Sequence, residues 1–366
     1  MVHRTVTARK AIRPVEPVPT LSQSLSPGPC TFSPQGVPVT MMVEQRAVGA
    51  VIGSLVADAA GQPLHWIYDV KRLDQILKGR EDTPEFVDPS HCPYYHQATG
   101  AQSGYGDQTL ALLKSLVAGK GFDVQLYRQE LYKTFGPNTD YDLKARPTGQ
   151  DQLPIGYRHA SIKAFLSAYE ATKEKTGLSP DPQMDGVAKI APLVALYAGD
   201  PRLPQLVEEA VRVTQDDNLA VKCSIAATAV LEGFVLGPPA KDFLEKMMGR
   251  PELSVIASKL PEVLKLRGTA HREVVQKFGS SCAIPGNLLN SLHCLLVTPS
   301  QSDYSTIVRR TLSAGGCNCS RLCFVGACAG AALGPSGIPA GWVEKTRNGD
   351  AIKELAQQLV ALRQSE

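Results

Sequence analysis

Apolar residues in this chain recur at three- and four-residue spacing, the period of a helix with one buried face. The pattern predicts helices over 43–60, about 106–117, 124–135, 157–171 and 184–198. It continues with Leu203, Leu206, Val207, Ala210 and Val211, then with Leu219, Cys223, Ala226, Val230 and Phe234 along one long helix. Shorter helices are predicted over 240–248, 252–266, 287–296 and 302–312. The last, over 351–363, carries Ile352, Leu355, Ala356, Leu359 and Leu362 on one side. Alternating strand patterns are nearly absent, and no fixed-period repeat suggests a solenoid. The chain reads as all-α, with one helical domain over 43–366.

A run over 320–333 stands out because it is built of Ala, Gly, Cys, Val and Leu. Gly326, Gly330 and Gly334 recur every fourth residue, so they line one face, and such a face lets another helix come very near. Gly334-Pro335 stops the run. Before it stands Gly315-Gly316-Cys317-Asn318-Cys319-Ser320, a glycine turn feeding a buried helix N-terminus, where free N–H groups gather and an anion or a metal can be held. A core helix packed after a loop accounts for the same spacing.

Composition narrows the class. The chain has 366 residues, 43% hydrophobic, and a net charge of +3. That charge is too weak to point to nucleic acid or an anionic membrane, and no apolar run is expected to span a bilayer. Residues 1–42 differ: they are rich in Pro, Ser and Thr, with Arg4, Arg9, Lys10 and Arg13 against Glu16. A disordered tail is expected there. Its acid-poor, basic character also resembles a mitochondrial transit peptide, the alternative to a cytoplasmic protein. Nine cysteines without a secretory segment read as free thiols in a reducing compartment.

Asp58 falls in the last turn of its helix, where the dipole disfavours an acid, so it needs a cation or a hydrogen bond. Asp107 falls in a first turn, an ordinary place for an acid. Thr214 or Asp216 is the expected N-cap of the long helix. Cys92 and His96 have metal-ligating atoms but sit in an aromatic loop. Cys317, Cys319, Cys323 and Cys328 crowd one segment, which allows zinc, a Cys317–Cys319 redox pair, or plain space-filling.

Several segments together resemble the ADP-ribosylglycohydrolase superfamily. Residues 53–63, Gly-Ser-Leu-Val-Ala-Asp-Ala-Ala-Gly-Gln-Pro, are similar to its opening motif. Gly106-Asp107-Gln108-Thr109 stands at its first metal motif, Met184-Asp185-Gly186 at the middle one, and Val213-Thr214-Gln215 where the family has Thr-His. Gly315 through Ser320, with Gly326-Ala327, Gly330-Ala331, Ile338-Pro339 and Trp342, matches the closing motif, in which the enzymes read Gly-Gly-Asp-Thr-Asp-Thr. Thr214-Gln215 and Ser281-Cys282 are most similar to the branch holding the J crystallins and selenoprotein J.

The resemblance implies an orthogonal multi-helix bundle whose cleft holds two Mg²⁺ ions and ADP-ribose. Carried over by position, it makes Asp107, Cys317, Cys319 and Ser320 the metal positions. Asp58, Asp185, Gly315, Gly316 and Ile338 become ligand-binding, and Asp107 and Asp216 catalytic. Yet Gly106 lacks a hydroxyl, Gln108 a carboxylate, and Cys317 and Cys319 offer soft sulfur where hard Mg²⁺ needs oxygen. The two-metal centre is therefore expected to be lost or badly weakened. The first reading is a non-hydrolytic member, structural like a crystallin or holding an ADP-ribose-like ligand or an ADP-ribosylated protein. The alternative is an active hydrolase of an N- or O-glycosidic ADP-ribose linkage, and the third is a cysteine-based metal or redox site, with Zn²⁺ as the metal.

Overall fold

The computed structural model describes Met1 and residues 39–142, 153–237, 242–298 and 303–364. The tail predicted over residues 1–42 lies almost wholly outside them. The unit spanning Thr40–Glu366 is all helical, with three isolated bridges as its only extended pairing among the described residues.

Helix α1 (Val39–Gly61) opens the unit. Then come α2 (Val70–Leu77), α3 (Gly104–Gly119), α4 (Val124–Phe135), α5 (Ala160–Glu170), α6 (Asp185–Ala188) and α7 (Ala191–Tyr197). The run predicted over 184–198 is thus two helices, because Pro192 lacks the N–H that a continuous helix needs. Next are α8 (Leu203–Arg212) and the long α9 (Asn218–Leu236). The cap of α9 is Asp217, whose carboxylate accepts from Leu219 and Ala220 N–H, not Thr214 or Asp216.

Helices α10 (Phe243–Met247), α11 (Leu260–Lys265), α12 (His271–Phe278), α13 (Gly286–Leu296) and α14 (Tyr304–Leu312) follow. The helix predicted over 252–266 is interrupted by turns between Leu253 and Leu260. The chain ends with α15 (Asn318–Leu333), α16 (Ala340–Lys345) and α17 (Gly349–Ala361). The pattern missed α2, α12 and α16, which are too short for a periodicity to declare itself.

Helix α15 is the axis of the bundle, packed on α14, α9, α13, α6 and α3. Its glycine face meets the glycines of α1. A Cβ at Gly330 would lie 2.0 Å from the Gly49 carbonyl oxygen, and one at Gly326 2.5 Å from that of Gly53. Any side chain would push the two helices apart. This fixes the turn before α15 beside the end of α1, which gathers the motifs.

The expectation that no apolar segment is long enough to cross a membrane needs correction. Two helical stretches, Met42–Leu64 and Asn218–Leu236, pass by length and hydropathy. Their apolar windows are 100% and 67% buried within the protein itself, the signature of core helices.

Candidate functional site

Gly315 (φ 71°) and Gly316 (φ 66°) lie in the left-handed region that glycine tolerates. Gly316 N–H donates to Ile67 O at 2.7 Å, and Trp66 N–H donates back to Gly316 O at 2.9 Å. A Cβ on Gly316 would strike Ser280 O at 2.3 Å. The turn is thus clamped between the segment after α1 and the loop after α12, and it delivers Cys317 to the N-cap of α15.

Cys317 is wholly buried among donors. Tyr105 OH stands 3.3 Å from its sulfur, Ser320 Oγ 3.2 Å and His65 Nε2 3.6 Å. Tyr95 OH lies 2.9 Å from His65 Nδ1, which suits an imidazole carrying its proton on Nε2, toward the sulfur. Cys282 packs against this cluster, and its thiol donates to Gln183 Oε1 at 3.0 Å. Burial pushes the Cys317 thiol up, but the proximity of Cys282 and His65 outweighs it and holds the group well below the usual thiol range. Proximity to Cys317 and burial drive Cys282 upward, and burial first and then Cys317 drive Tyr105 upward, so both keep their protons.

Behind Cys317 lies Arg321, also wholly buried. One of its amino groups donates to Asn287 Oδ1 at 3.0 Å, the other to Gly315 O, and its Nε has no partner. Asn287 Nδ2 donates to Ser320 Oγ at 2.8 Å. A polar chain therefore links the guanidinium to the sulfur. The described residues place no carboxylate in ion-pair contact with Arg321; burial lowers its guanidinium, and the nearby Cys317 sulfur works against that shift.

Asp58 meets the need noted in the sequence through hydrogen bonds. Ser103 N–H and Oγ donate to it at 2.7 and 2.6 Å, and Cys323 Sγ at 3.5 Å. Burial raises it to about 6 despite these donors. Cys319 Sγ turns to Asp58 O at 3.8 Å, away from the partners of Cys317. Asp107 accepts from Tyr141 OH at 2.5 Å and is raised by burial to about 7. It lines a polar cavity of about 430 Å³ with Lys114, Lys133, Asp140 and Arg347.

A second cluster forms around Asp185. His159 Nδ1 lies 2.5 Å from its Oδ1, and Gln108 Nε2 donates to the same oxygen at 2.8 Å. Burial would raise Asp185, but His159, Gln108 and Lys189 hold it below the ordinary carboxylate range. Burial opposes charge on His159 too, yet Asp185 lifts it above the usual imidazole value. Tyr105 lies against His159, ring centroids 4.4 Å apart, and so joins the two clusters.

Asp58, Asp107, Asp185, Cys317, Cys319 and Ser320 all stand on the helix ends that line these clusters. Asp216 does not join them; Arg212 Nη1 takes its carboxylate at 2.5 Å. The acid beside Asp185 is Asp181, held by Gln215 at 2.9 Å. Ile338 packs into the main apolar core. Cys92 is buried while His96 is exposed. All eight cysteines among the described residues are free.

The residues present do not fit a pair of Mg²⁺ ions. The Asp58 carboxylate is filled by protein donors, Tyr141 caps Asp107, and Gln108 is spent on Asp185. A Cβ at Gly106 would lie 2.2 Å from Asp58 Oδ2 and 2.3 Å from Gln102 Oε1, so a hydroxyl-bearing side chain there would have to displace both side-chain ends. Sulfur supplies the remaining positions, and Mg²⁺ demands octahedral oxygen. Among the described residues no three His, Cys, Asp or Glu side chains converge as a metal site.

Sequence reasoning missed His65, Tyr105, Tyr141, His159 and Arg321, and did not see the role of Cys282. Tyr105 and Arg321 directly flank motif segments and His65 stands two residues past one, so all three were within reach of a longer reading. Tyr141 and His159 come from a separate loop and helix end, where spacing carries no signal.

Comparison with known proteins agrees with this frame. A family model described as ADP-ribosylglycohydrolase matches residues 40–366. Crystallin J1A of Tripedalia cystophora is 36% identical over 318 residues, 86% of this chain and 96% of that protein. Crystallin J1B of the same animal is 34% identical, covering 87% and 98%. A solved structure described as an ADP-ribosylglycohydrolase-related protein complex superposes with a TM-score of 0.60 at 19% identity, over 88% of this chain and 99% of that one. At that identity the likeness speaks for the fold alone.

Proposed function

Because the chain belongs to the ADP-ribosylglycohydrolase family, in its J-crystallin branch, we propose that it is a non-hydrolytic member whose catalytic cleft has been closed by its own side chains. The observation that carries this reading is the occupancy of the first metal motif. The space beside Gly106 is filled by Asp58 and Gln102, Asp107 is capped by Tyr141, and Gln108 is bonded to Asp185. A cleft filled by the protein's own side chains favours persistence of the fold over turnover. The role that follows is a structural one of the crystallin kind.

A second reading is favoured by the open cavity at Asp107, where Lys114, Lys133 and Arg347 stand among Asp107, Glu130 and Asp140, and a ligand with a diphosphate, such as ADP-ribose, would draw Lys133 and Arg347 from their pairs with Glu130 and Asp140. Binding there would stabilise the fold without cleaving the ligand.

The test is turnover of ADP-ribosylated arginine and serine by the intact chain with Mg²⁺, alongside a thermal shift with ADP-ribose. No cleavage is expected. A concentration-dependent rise in the melting temperature would select the ligand-holding form. Cleavage that Asp107→Ala abolishes would overturn the non-hydrolytic reading.

A further inference from the structure

The two sulfurs at the mouth of α15 belong to different segments. Cys317 caps the helix, and Cys282 lies on the loop between α12 and α13. That loop is pinned on both sides. Ser280 O accepts from Cys317 N–H at 2.8 Å, and Cys282 O accepts from Met184 N–H at 3.0 Å. Cys282 packs against the buried cluster of Cys317, Tyr105 and Trp66, and its thiol donates to Gln183 Oε1 at 3.0 Å. Cys282 is half-exposed, whereas Cys317 is sealed. One sulfur is thus cradled by Tyr105, His65 and Ser320 near a buried guanidinium whose Nε has no partner. The other packs against the same cluster and is half-exposed.

We propose that Cys317 and Cys282 form a peroxide-reactive thiol pair, with Cys317 the attacking sulfur and Cys282 the resolving one. The oxidant is hydrogen peroxide or a hydroperoxide of similar size, because a sealed sulfur admits little more than a water-sized molecule. The Cys317 thiolate attacks one peroxide oxygen, and the O–O bond breaks. The departing hydroxide takes a proton and leaves as water, which makes Cys317 a sulfenic acid. The Cys282 sulfur then attacks Cys317, the S–OH bond breaks, and a second water leaves with the Cys282 proton. Two thiols have given two electrons to the peroxide. An external dithiol restores both by exchange and becomes a disulfide itself. The bond would tie the α12–α13 loop to α15 beside Asp185, so oxidation would also stiffen the cleft. This chemistry is independent of whether the chain hydrolyses anything.

The test treats the reduced full chain with hydrogen peroxide and maps disulfides by peptide mass and fragmentation. One linkage, Cys282 to Cys317, is expected, and a dithiol should reverse it. Cys282→Ser should leave Cys317 as a sulfenic acid, read as one added oxygen by peptide mass and captured by dimedone when the oxidised chain is unfolded in its presence. Cys317→Ser should reduce peroxide consumption to the buffer background. A linkage between any other pair overturns the proposal, as does a Cys317 left unmodified in both the unaltered chain and Cys282→Ser. The mapping on the unaltered chain decides the matter even where a variant fails to fold.

Discussion

A carboxyl group taken out of water holds its proton longer, and Asp107 carries that effect into the stability of the molecule. Burial raises it to about 7, above its value in the unfolded chain. Its contribution is therefore complete below the ordinary carboxylate range and is lost as pH rises through about 7. In Asp107→Asn that loss should vanish. Urea unfolding of the two proteins across this range should show the unaltered chain losing stability relative to the variant, by at most roughly 1.4 kcal/mol per pH unit. Residue-scale legibility was uneven. The misplaced acid at Asp58 announced that it needed a partner, and Ser103 is that partner. Nothing in the spacing named Ser103, because it is the N-cap of another helix and meets Asp58 only in three dimensions.

At the scale of elements, the small-residue periodicity of α15 was readable and its physical meaning held. Gly330 and Gly326 let α1 approach within backbone contact. Gly330→Ala should lower stability by roughly 1–3 kcal/mol, the usual cost of overpacking. Gly233 is the contrast, since it lies exposed on α9 and a Cβ there meets nothing within 4 Å. Gly233→Ala should stabilise the fold by about 0.5–1 kcal/mol. Chemical denaturation of the two variants side by side checks both signs. The long helices were legible because several turns repeat the same face. Helices α2 and α12, with eight residues each, repeat it too little, and packing decides them. The break between α6 and α7 was signalled by Pro192 and passed over. The candidate site was half legible: its glycine turn and acids sit in motifs, whereas His65, His159 and Cys282 are assembled only by the packing around α15.

At the scale of the whole molecule, a second buried pair governs the response to acid. His271 and His293 stack, rings 7° from parallel, with their Nδ1 atoms 3.2 Å apart. His293 Nε2 lies 3.0 Å from Leu266 O, where it donates, so His293 Nδ1 accepts from His271. His271 Nε2 is left without a partner. Burial holds both rings below the usual imidazole value, and Arg310 adds to the effect on each. A depressed histidine stabilises the fold above its unfolded value, and that stability is lost as pH falls toward the folded one. As pH falls below about 6.5 this pair should therefore lower the unfolding midpoint of the unaltered chain relative to a chain without it, opposite in sign to the contribution of Asp107. His271→Asn, which keeps a donor for His293, should flatten that drop in thermal melts followed by circular dichroism. The seam between α1 and α15 has one more consequence, for synthesis. The glycine face of α1 can meet its lasting neighbour only when α15 has been made. Until then that face is uncovered, so the nascent chain must be shielded while the helices between are synthesised, and a truncation before α15 leaves the face without its partner.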